Sequence, residues 1–366
     1  MLIHDLLRKM KDHNASDLYL KVGVTPSIRV HGSVRRLETV EPLSDEQMQK
    51  TAQSILNEHQ WSLFCERPDL DLSYHLDDNL RYRINVFRQK GHIGMVIRLI
   101  HDSELSFQNL HLPQVIREFA EAPRGLVIVT GATGSGKSTT LAAMVQHINR
   151  NYFRHIMTVE DPIEYIHDDD KSIINQREVG YDTNCFRDAL RHVVRQSPDV
   201  ILIGEMRDQE TMMTAISAAE TGHLVLTTLH TIDVHHTLDR IINYFPDYQQ
   251  EQVRQELSMS LLGIISMRLL PRKDGTGRVP AMEILRATPT IRKALAAGEH
   301  WRMKELMQKG GDLGMQTFNQ SLVELYREGL VDYEDALAAS SNPEEFKLNA
   351  RGMYTGTESI TQFQQL

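Results

Sequence analysis

Cysteine is almost missing from this chain. Cys65 and Cys185 are the only two, far apart and in no C-x-x-C pair. That excludes a disulfide scaffold, makes a structural zinc module an unattractive reading, and fits a reducing cytoplasm. Positive charge is not in excess either. The net charge is −9 and the isoelectric point near 6.0, so the chain lacks the basic, aromatic-interleaved stripe of a dedicated nucleic-acid binder. No apolar run approaches the roughly 18 residues that a membrane span needs. The N-terminal segment MLIHDLLRKMKDHN reads as an amphipathic helix packed on its own domain and not as a signal peptide, because Leu2, Ile3, Leu6, Leu7 and Met10 share a helical face interrupted by charge. What remains is an ordinary globular composition, 41% apolar and 24% charged over 366 residues, enough for two domains.

The first domain is expected over residues 1–100 as a small α+β unit. Asp17–Val22, Ser27–Val30 and Asp69–Leu76 read as strands. Ser44-Asp-Glu-Gln47 is a capping box that opens a helix through about Cys65. Arg81–Phe87 and His92–Ile100 alternate with period two. With Lys90-Gly91 as a two-residue turn, Arg83 and Arg98 face each other across the hairpin. Such a like-charge pair is destabilising unless an anion lies near. The plain alternative is two solvated arginines on an exposed sheet face.

A linker is expected over 101–112, then a second domain with C-terminal helices over 113–341. Gly125–Thr130, His155–Val159, Val200–Ile203 and Leu224–Leu229 are apolar strands alternating with helices, including Ser138–Arg150. That pattern implies an α/β fold with a mostly parallel sheet covered on both faces. Helices are expected over Ile291–Gln308, Thr317–Glu328 and Tyr333–Ala339. The polar stretch 342–366 is expected to be partly disordered.

Gly131-Ala132-Thr133-Gly134-Ser135-Gly136-Lys137-Ser138, followed by Thr139, fits G-x-x-x-x-G-K-[ST] between a strand and a helix. Glycines let the backbone wrap phosphate oxygens, and the helix N-terminus turns its amides toward them. Lys137 is placed to reach the β- and γ-phosphates and Ser138 to meet Mg²⁺, which makes ATP and Mg²⁺ the expected ligands.

Glu205, just beyond strand Val200–Ile203, is a carboxylate at a strand tip that can organise Mg²⁺ or its waters; Gly204 stands where an Asp is usual, so contact through water is the expectation. Glu160-Asp-Pro-Ile-Glu164 follows another strand and offers a base for the attacking water. His223 and His230 flank strand Leu224–Leu229, and with no zinc-ligand spacing they read as polar sensors. Arg187, Arg191 and Arg195 recur every four residues. They are either a solvated face or a source of one arginine for a nucleotide, including one across a subunit boundary.

Taken together, Glu160–Glu164, Gly204-Glu-Met-Arg-Asp208 and Ala219-Glu-Thr-Gly-His-Leu-Val-Leu-Thr-Thr-Leu-His230 resemble the type II/IV secretion ATPases, and within them the type IV pilus retraction ATPases. The resemblance implies a PAS-like N-terminal domain, a RecA-like ATPase domain and a homohexamer. It implies a site on the cytoplasmic face of the inner membrane beside a pilus platform protein, with no nucleic acid. By the same resemblance Glu164 becomes the general base and Glu205 the Walker B carboxylate. His223 and His230 become His-box residues, and Arg83 and Arg98 become arginines that approach the γ-phosphate. Principal retraction motors carry Ala-Ile-Arg-Asn-Leu-Ile where this chain has Thr290-Ile-Arg-Lys-Ala-Leu295. That departure and the C-terminal stretch look more like the accessory paralogue, which works alongside the main retraction ATPase. A pilus extension or type II secretion ATPase, a RecA-like translocase on nucleic acid, and a nucleotide-gated module without useful turnover are the competing readings.

Overall fold

The computed structural model describes residues 2–13, 15–30, 33–77, 80–100 and 105–353. Residues 101–104 of the expected linker and 354–366 of the expected tail lie outside the described residues. The chain divides into two compact units, Met1–Ser103 together with Pro162–Glu164, and Glu104–Asp161 together with Tyr165–Leu366.

The first unit runs α1 (Leu2–Asp12), β1 (Asp17–Lys21), β2 (Ser27–Val30), β3 (Ser33–Arg36), α2 (Asp45–Ile55), α3 (Glu58–Glu66), β4 (Asp69–Asp77), β5 (Leu80–Gln89) and β6 (His92–Ile100). Its strands form one antiparallel sheet in the order β3-β2-β1-β6-β5-β4. Ile3, Leu6, Leu7 and Met10 of α1 are buried in the same core as Leu18, Ile84, Val86 and Ile97, so the N-terminal helix packs on its own unit. The single helix expected from Ser44 to Cys65 is two. Leu56 takes extended backbone, and Asn57 opens α3 with its own capping box to Gln60, a local signal as strong as the one at Ser44.

The β5–β6 hairpin has the expected register: Gln89 faces His92 and Arg83 faces Arg98. Lys90 and Gly91 both have positive φ, 51° and 81°, as a two-residue turn matched to strand twist requires. The like-charge pair is relieved inside the sheet. Buried Asp17 lies between Arg29 and Arg98 across three strands, with Arg98 Nε 2.9 Å and Arg29 Nε 3.4 Å from its carboxylate. Asp71 holds Arg83 at 3.6 Å. The pairing therefore does not require an external anion.

The second unit contains α4 (Gln114–Glu121), β7 (Gly125–Thr130), α5 (Lys137–Asn151), β8 (His155–Glu160), β9 (Ile173–Glu178), α6 (Phe186–Val193), β10 (Val200–Ile203), α7 (Gln209–Glu220), β11 (Leu224–Leu229), α8 (Val234–Asn243), α9 (Asp247–Ser260), β12 (Leu261–Pro271) and β13 (Arg278–Arg286). It closes with α10 (Pro289–Ala296), α11 (Met303–Gln308), α12 (Phe318–Arg327), α13 (Tyr333–Ala339) and α14 (Pro343–Ala350). Its seven-stranded sheet has the order β13-β12-β7-β11-β10-β8-β9 and is parallel except for β13.

Successive residues of the central strands feed two cores. Val127, Val129, Val200, Leu202, Leu224 and Leu226 pack with α4 and with Leu141, Met144, Val145 and Ile148 of α5. Leu126, Ile128, Ile201, Ile203 and Val225 pack with α6 to α9 on the other face. Fully burying such a side chain contributes roughly 1.5–3 kcal/mol over leaving it exposed, which is why continuous apolar strands settle in the centre of a covered sheet. Phe107, from the expected linker, is buried in the α4–α5 core.

Three further expectations are corrected. The helix expected over Ile291–Gln308 is interrupted at Gly298 (φ 75°) and by a 3-10 turn at His300–Arg302. The stretch from 342, expected as a polar tail, begins with α14, whose Phe346 and Asn349 are buried. Helix α6 ends at Val193, so Arg195 lies beyond the face shared by Arg187 and Arg191.

Candidate functional site

The phosphate-type loop starts where β7 ends. Gly131, Gly134 and Gly136 take φ of 143°, 78° and 97°, a path that residues with a Cβ rarely follow. Gly131 is the tightest: a Cβ there would lie 2.4 Å from Ser135 Oγ and 2.6 Å from the Met267 carbonyl oxygen. Gly136 caps α5 with no side chain, leaving the first-turn amides turned to the loop. Lys137 is buried and reaches back across the loop, donating to the carbonyls of Gly131 (2.8 Å) and Ala132 (2.9 Å). Among the described residues Ser135 Oγ, which is buried, has no hydrogen-bond partner, an orphaned polar atom inside the cradle. Ala132, Thr133 and Gly134 form the exposed lip, and Ser138 and Thr139 are half-buried on the first turn of α5.

Strand register decides which other residues join the loop. Thr130 pairs with Leu229, and Ile203 pairs with both Thr227 and Val159. The loops after β7, β11, β10 and β8 therefore all leave the same edge of the sheet. Glu205 follows β10 there, its side chain only 12% exposed. Its carboxylate receives His230 Nε2 at 3.2 Å and forms an ion pair with Arg207. Arg207 also lies 3.7 Å from Asp161. Gly204 has a packing reason: a Cβ would stand 3.3 Å from both Glu160 Cα and the Val159 carbonyl oxygen. Glu160 accepts from Thr158 Oγ1 at 2.7 Å and from Gln176 Nε2 at 3.2 Å, so it serves its own strand end. Glu164 is half-buried, and the next residue, Tyr165, hydrogen-bonds through its hydroxyl to Thr139 Oγ1 at 2.8 Å. Asp208, the last residue of that box, caps α7 by accepting from Thr211 N at 2.9 Å.

His223 and Arg195 do not join this group within one chain. His223 precedes β11, its carbonyl accepts from Gly125 N at the start of β7, and its Nδ1 lies 2.9 Å from the Ala218 carbonyl oxygen. It sits at the opposite edge of the sheet, one full strand length from the loop. Arg195 follows α6 on the approach to β10, on that same far edge, and among the described residues it carries no ion pair. Arg187 and Arg191 are both engaged by Glu210. Arg83 and Arg98 belong to the first unit, with the carboxylate partners given above.

The residues missed in sequence buttress the site. Ser266 of β12 pairs with Thr130 and accepts its hydroxyl at 2.8 Å, and Met267 Sδ receives Thr140 Oγ1 at 3.3 Å. The apolar run Leu261–Met267 was the available signal. Arg207 stands in the same short box as Glu205 and was given no role. Among the described residues no helix is long and apolar enough to cross a membrane.

The sequence matches the family model described as type II/IV secretion system protein over residues 6–335. It is similar to the type IV pilus ATPase PilU of Pseudomonas aeruginosa, 42% identical over 348 residues, covering 95% of this chain and 91% of that one. It is similar to the type IV pilus retractation ATPase PilT of the same organism, 44% identical over 346 residues, covering 94% and 100%. The crystal structure of the pilus retraction motor PilT with bound ADP matches the fold with a TM-score of 0.87 at 43% identity, covering 94% of this chain and 98% of that one.

Proposed function

This chain belongs to the type II/IV secretion system protein family, and from that premise we propose that it is a motor ATPase that hydrolyses ATP to drive retraction of type IV pili. The observation that carries this reading is Lys137 lying across a glycine cradle whose sheet edge also presents Glu205 and His230.

The cradle fits a phosphate chain: uncapped α5 amides, the orphaned Ser135 hydroxyl and a lysine that can exchange two loop carbonyls for anionic oxygens. Ser138 and Glu205 would hold Mg²⁺, directly or through water, and the ion supplies neutralisation of phosphate charge. Glu164 orients and deprotonates the attacking water. His230, tied to Glu205, registers the terminal phosphate. Arg83 and Arg98 are assigned to stabilising charge on that phosphate once they leave Asp71 and Asp17. His223 and Arg195 stand on the far edge of the sheet and can serve only the nucleotide of a neighbouring copy, which agrees with a hexameric ring. The first unit is assigned as PAS-like and the second as RecA-like.

We place the motor on the cytoplasmic side of the inner membrane, acting on a pilus platform protein beside the main retraction ATPase. The accessory role rests on α10, which holds the Thr290–Leu295 departure. Arg292 there donates to the Ser258 and Met259 carbonyls at the end of α9, and Lys293 replaces the asparagine of principal motors.

Imaging labelled pili on cells lacking the gene tests this. Pili are expected to retract when unloaded and to stall under load, with rescue by the wild type and not by Lys137→Ala. Cells without pili would point instead to an extension motor, and pili that never retract would make this the principal retraction motor.

A further inference from the structure

Away from the nucleotide loop, α8 and the turn after α10 bring together two imidazoles and a carboxylate. His235 and Asp239 are four residues apart on α8, so they share one helix face. Gly298, in the left-handed region at φ 75°, ends the α10 segment, and the His300–Arg302 turn then carries His300 alongside. His300 Nε2 lies 2.9 Å from Asp239 Oδ1, and His235 Nε2 lies 3.4 Å from Asp239 Oδ2. The two imidazoles stack with centroids 5.5 Å apart. Donor atoms of all three residues lie within 4.8 Å of one another.

We propose that His235, Asp239 and His300 form a binding site for a zinc-class divalent cation, with the fourth position open to solvent. A tetrahedral zinc ion with bonds of about 2.0–2.1 Å places its ligand atoms about 3.4 Å apart; one donor atom from each of the three residues already lies within 4.8 Å of the others, so side-chain rotation alone closes the set to that spacing. Two imidazole nitrogens with one carboxylate select a borderline ion over the hard Mg²⁺ used with nucleotide. His235 is the most exposed of the three and gives the ion its route in.

The site's position gives the ion a structural consequence. Helix α8 begins four residues after His230, and its first amide, Val234 N–H, donates to Glu283 Oε1 at 2.9 Å. An ion in this cluster clamps the first two turns of α8 to the turn that precedes α11. The start of the element that follows the His230 loop is then held by both Glu283 and the ion, and cation occupancy sets how freely that loop moves.

Full-length protein stripped of metal, in excess Mg²⁺, is titrated with Zn²⁺ against a chromophoric chelator, with thermal unfolding followed in parallel. One equivalent per chain at micromolar affinity or tighter is expected, with a rise of several degrees in Tm. His235→Gln, a change at a half-exposed position that leaves the fold in place, and His300→Ala should each weaken binding at least tenfold and remove the Tm rise. His236→Ala, an imidazole on the same helix paired instead with Asp233, should do neither. Absence of zinc binding by the wild type, or undiminished binding by both cluster variants, overturns the proposal and leaves Asp239 as an acceptor pinning two histidines.

Discussion

The two edges of the seven-stranded sheet are built from similar residues and behave differently. At the edge where the parallel strands end, Gly131, Glu205 and His230 leave in divergent loops with polar side chains turned toward a common space. At the edge where they begin, the chain closes on itself through backbone bonds: Gly125 N to His223 O at 2.9 Å, Leu224 N to Asp199 O at 3.0 Å and Asp199 N to His155 O at 2.8 Å. In an open α/β sheet, ligands lie outside the carboxyl ends of the strands because only there do loops part around a crevice. A histidine on either side of β11 therefore has a different meaning, although the two are symmetric in sequence.

The largest effect that would sharpen this contrast is expected from two glycine substitutions. Gly131→Ala forces a methyl group to within 2.6 Å of the Met267 carbonyl oxygen at a φ of 143°. The loop must move, and nucleotide affinity should fall at least about a hundredfold, since the bonds lost are several charge-assisted ones worth roughly 1.5–3 kcal/mol each. Gly222→Ala, on the closed edge at φ 116°, meets nothing within 4 Å and carries only the backbone penalty of about 1–2 kcal/mol. Fluorescent-nucleotide titration and thermal unfolding of both variants separate the outcomes. Equal nucleotide affinity in the two would erase the distinction between the edges.

The histidines come next in size. His230→Ala removes one of the two partners of a nearly buried carboxylate and should slow ATP turnover on the order of a hundredfold. His223→Ala removes the Nδ1 contact to Ala218 O, about 1 kcal/mol of stability, and should leave nucleotide affinity unchanged. Phosphate release measured across protein concentration is the check. A His223→Ala chain that binds nucleotide normally yet turns over at the rate of His230→Ala would show that the closed edge of one copy completes the open edge of the next.

Much of the open edge was legible because its signals are local. A glycine-lysine loop between an apolar strand and a helix needs no tertiary knowledge, and the Lys90-Gly91 turn fixed the pairing of Arg83 with Arg98. What was missed depends on distance in sequence. Asp17 lies far from Arg98 in sequence, so the carboxylate that settles the like-charge pair is invisible there, and the sequence offers only a nearby anion or two solvated arginines. Strand β12 begins directly at the end of α9, with Gly263 two residues past the change at a register shift, and an apolar run such as Leu261–Met267 fits either a helix or a strand. His223 and His230 were grouped because both flank one strand, although a strand separates its two ends by its whole length. The break at Leu56 was readable, since Asn57 and Gln60 repeat the spacing already noted at Ser44.

The smallest expected effect concerns what lies beneath the open edge. Thr130, Ser266 and Glu283 form one row across β7, β12 and β13, and Glu283 is 7% exposed. Burial pushes its carboxyl above the ordinary range, while the Val234 amide, the Phe318 amide and Arg268 pull the other way. A carboxyl raised in the folded state keeps its proton where the unfolded chain has lost one. Its stabilising contribution is therefore complete below the ordinary glutamate value of 4.5 and is lost as pH rises through the raised value. Glu283→Gln keeps an acceptor for Val234 N–H and cannot ionise. Its stability relative to the wild type should therefore climb as pH rises from 4.5 through the raised value and then level off. Urea unfolding at a series of pH values measures the difference. A difference that falls with rising pH would mean that attraction to Arg268 outweighs burial and that the row under the loop carries a charge.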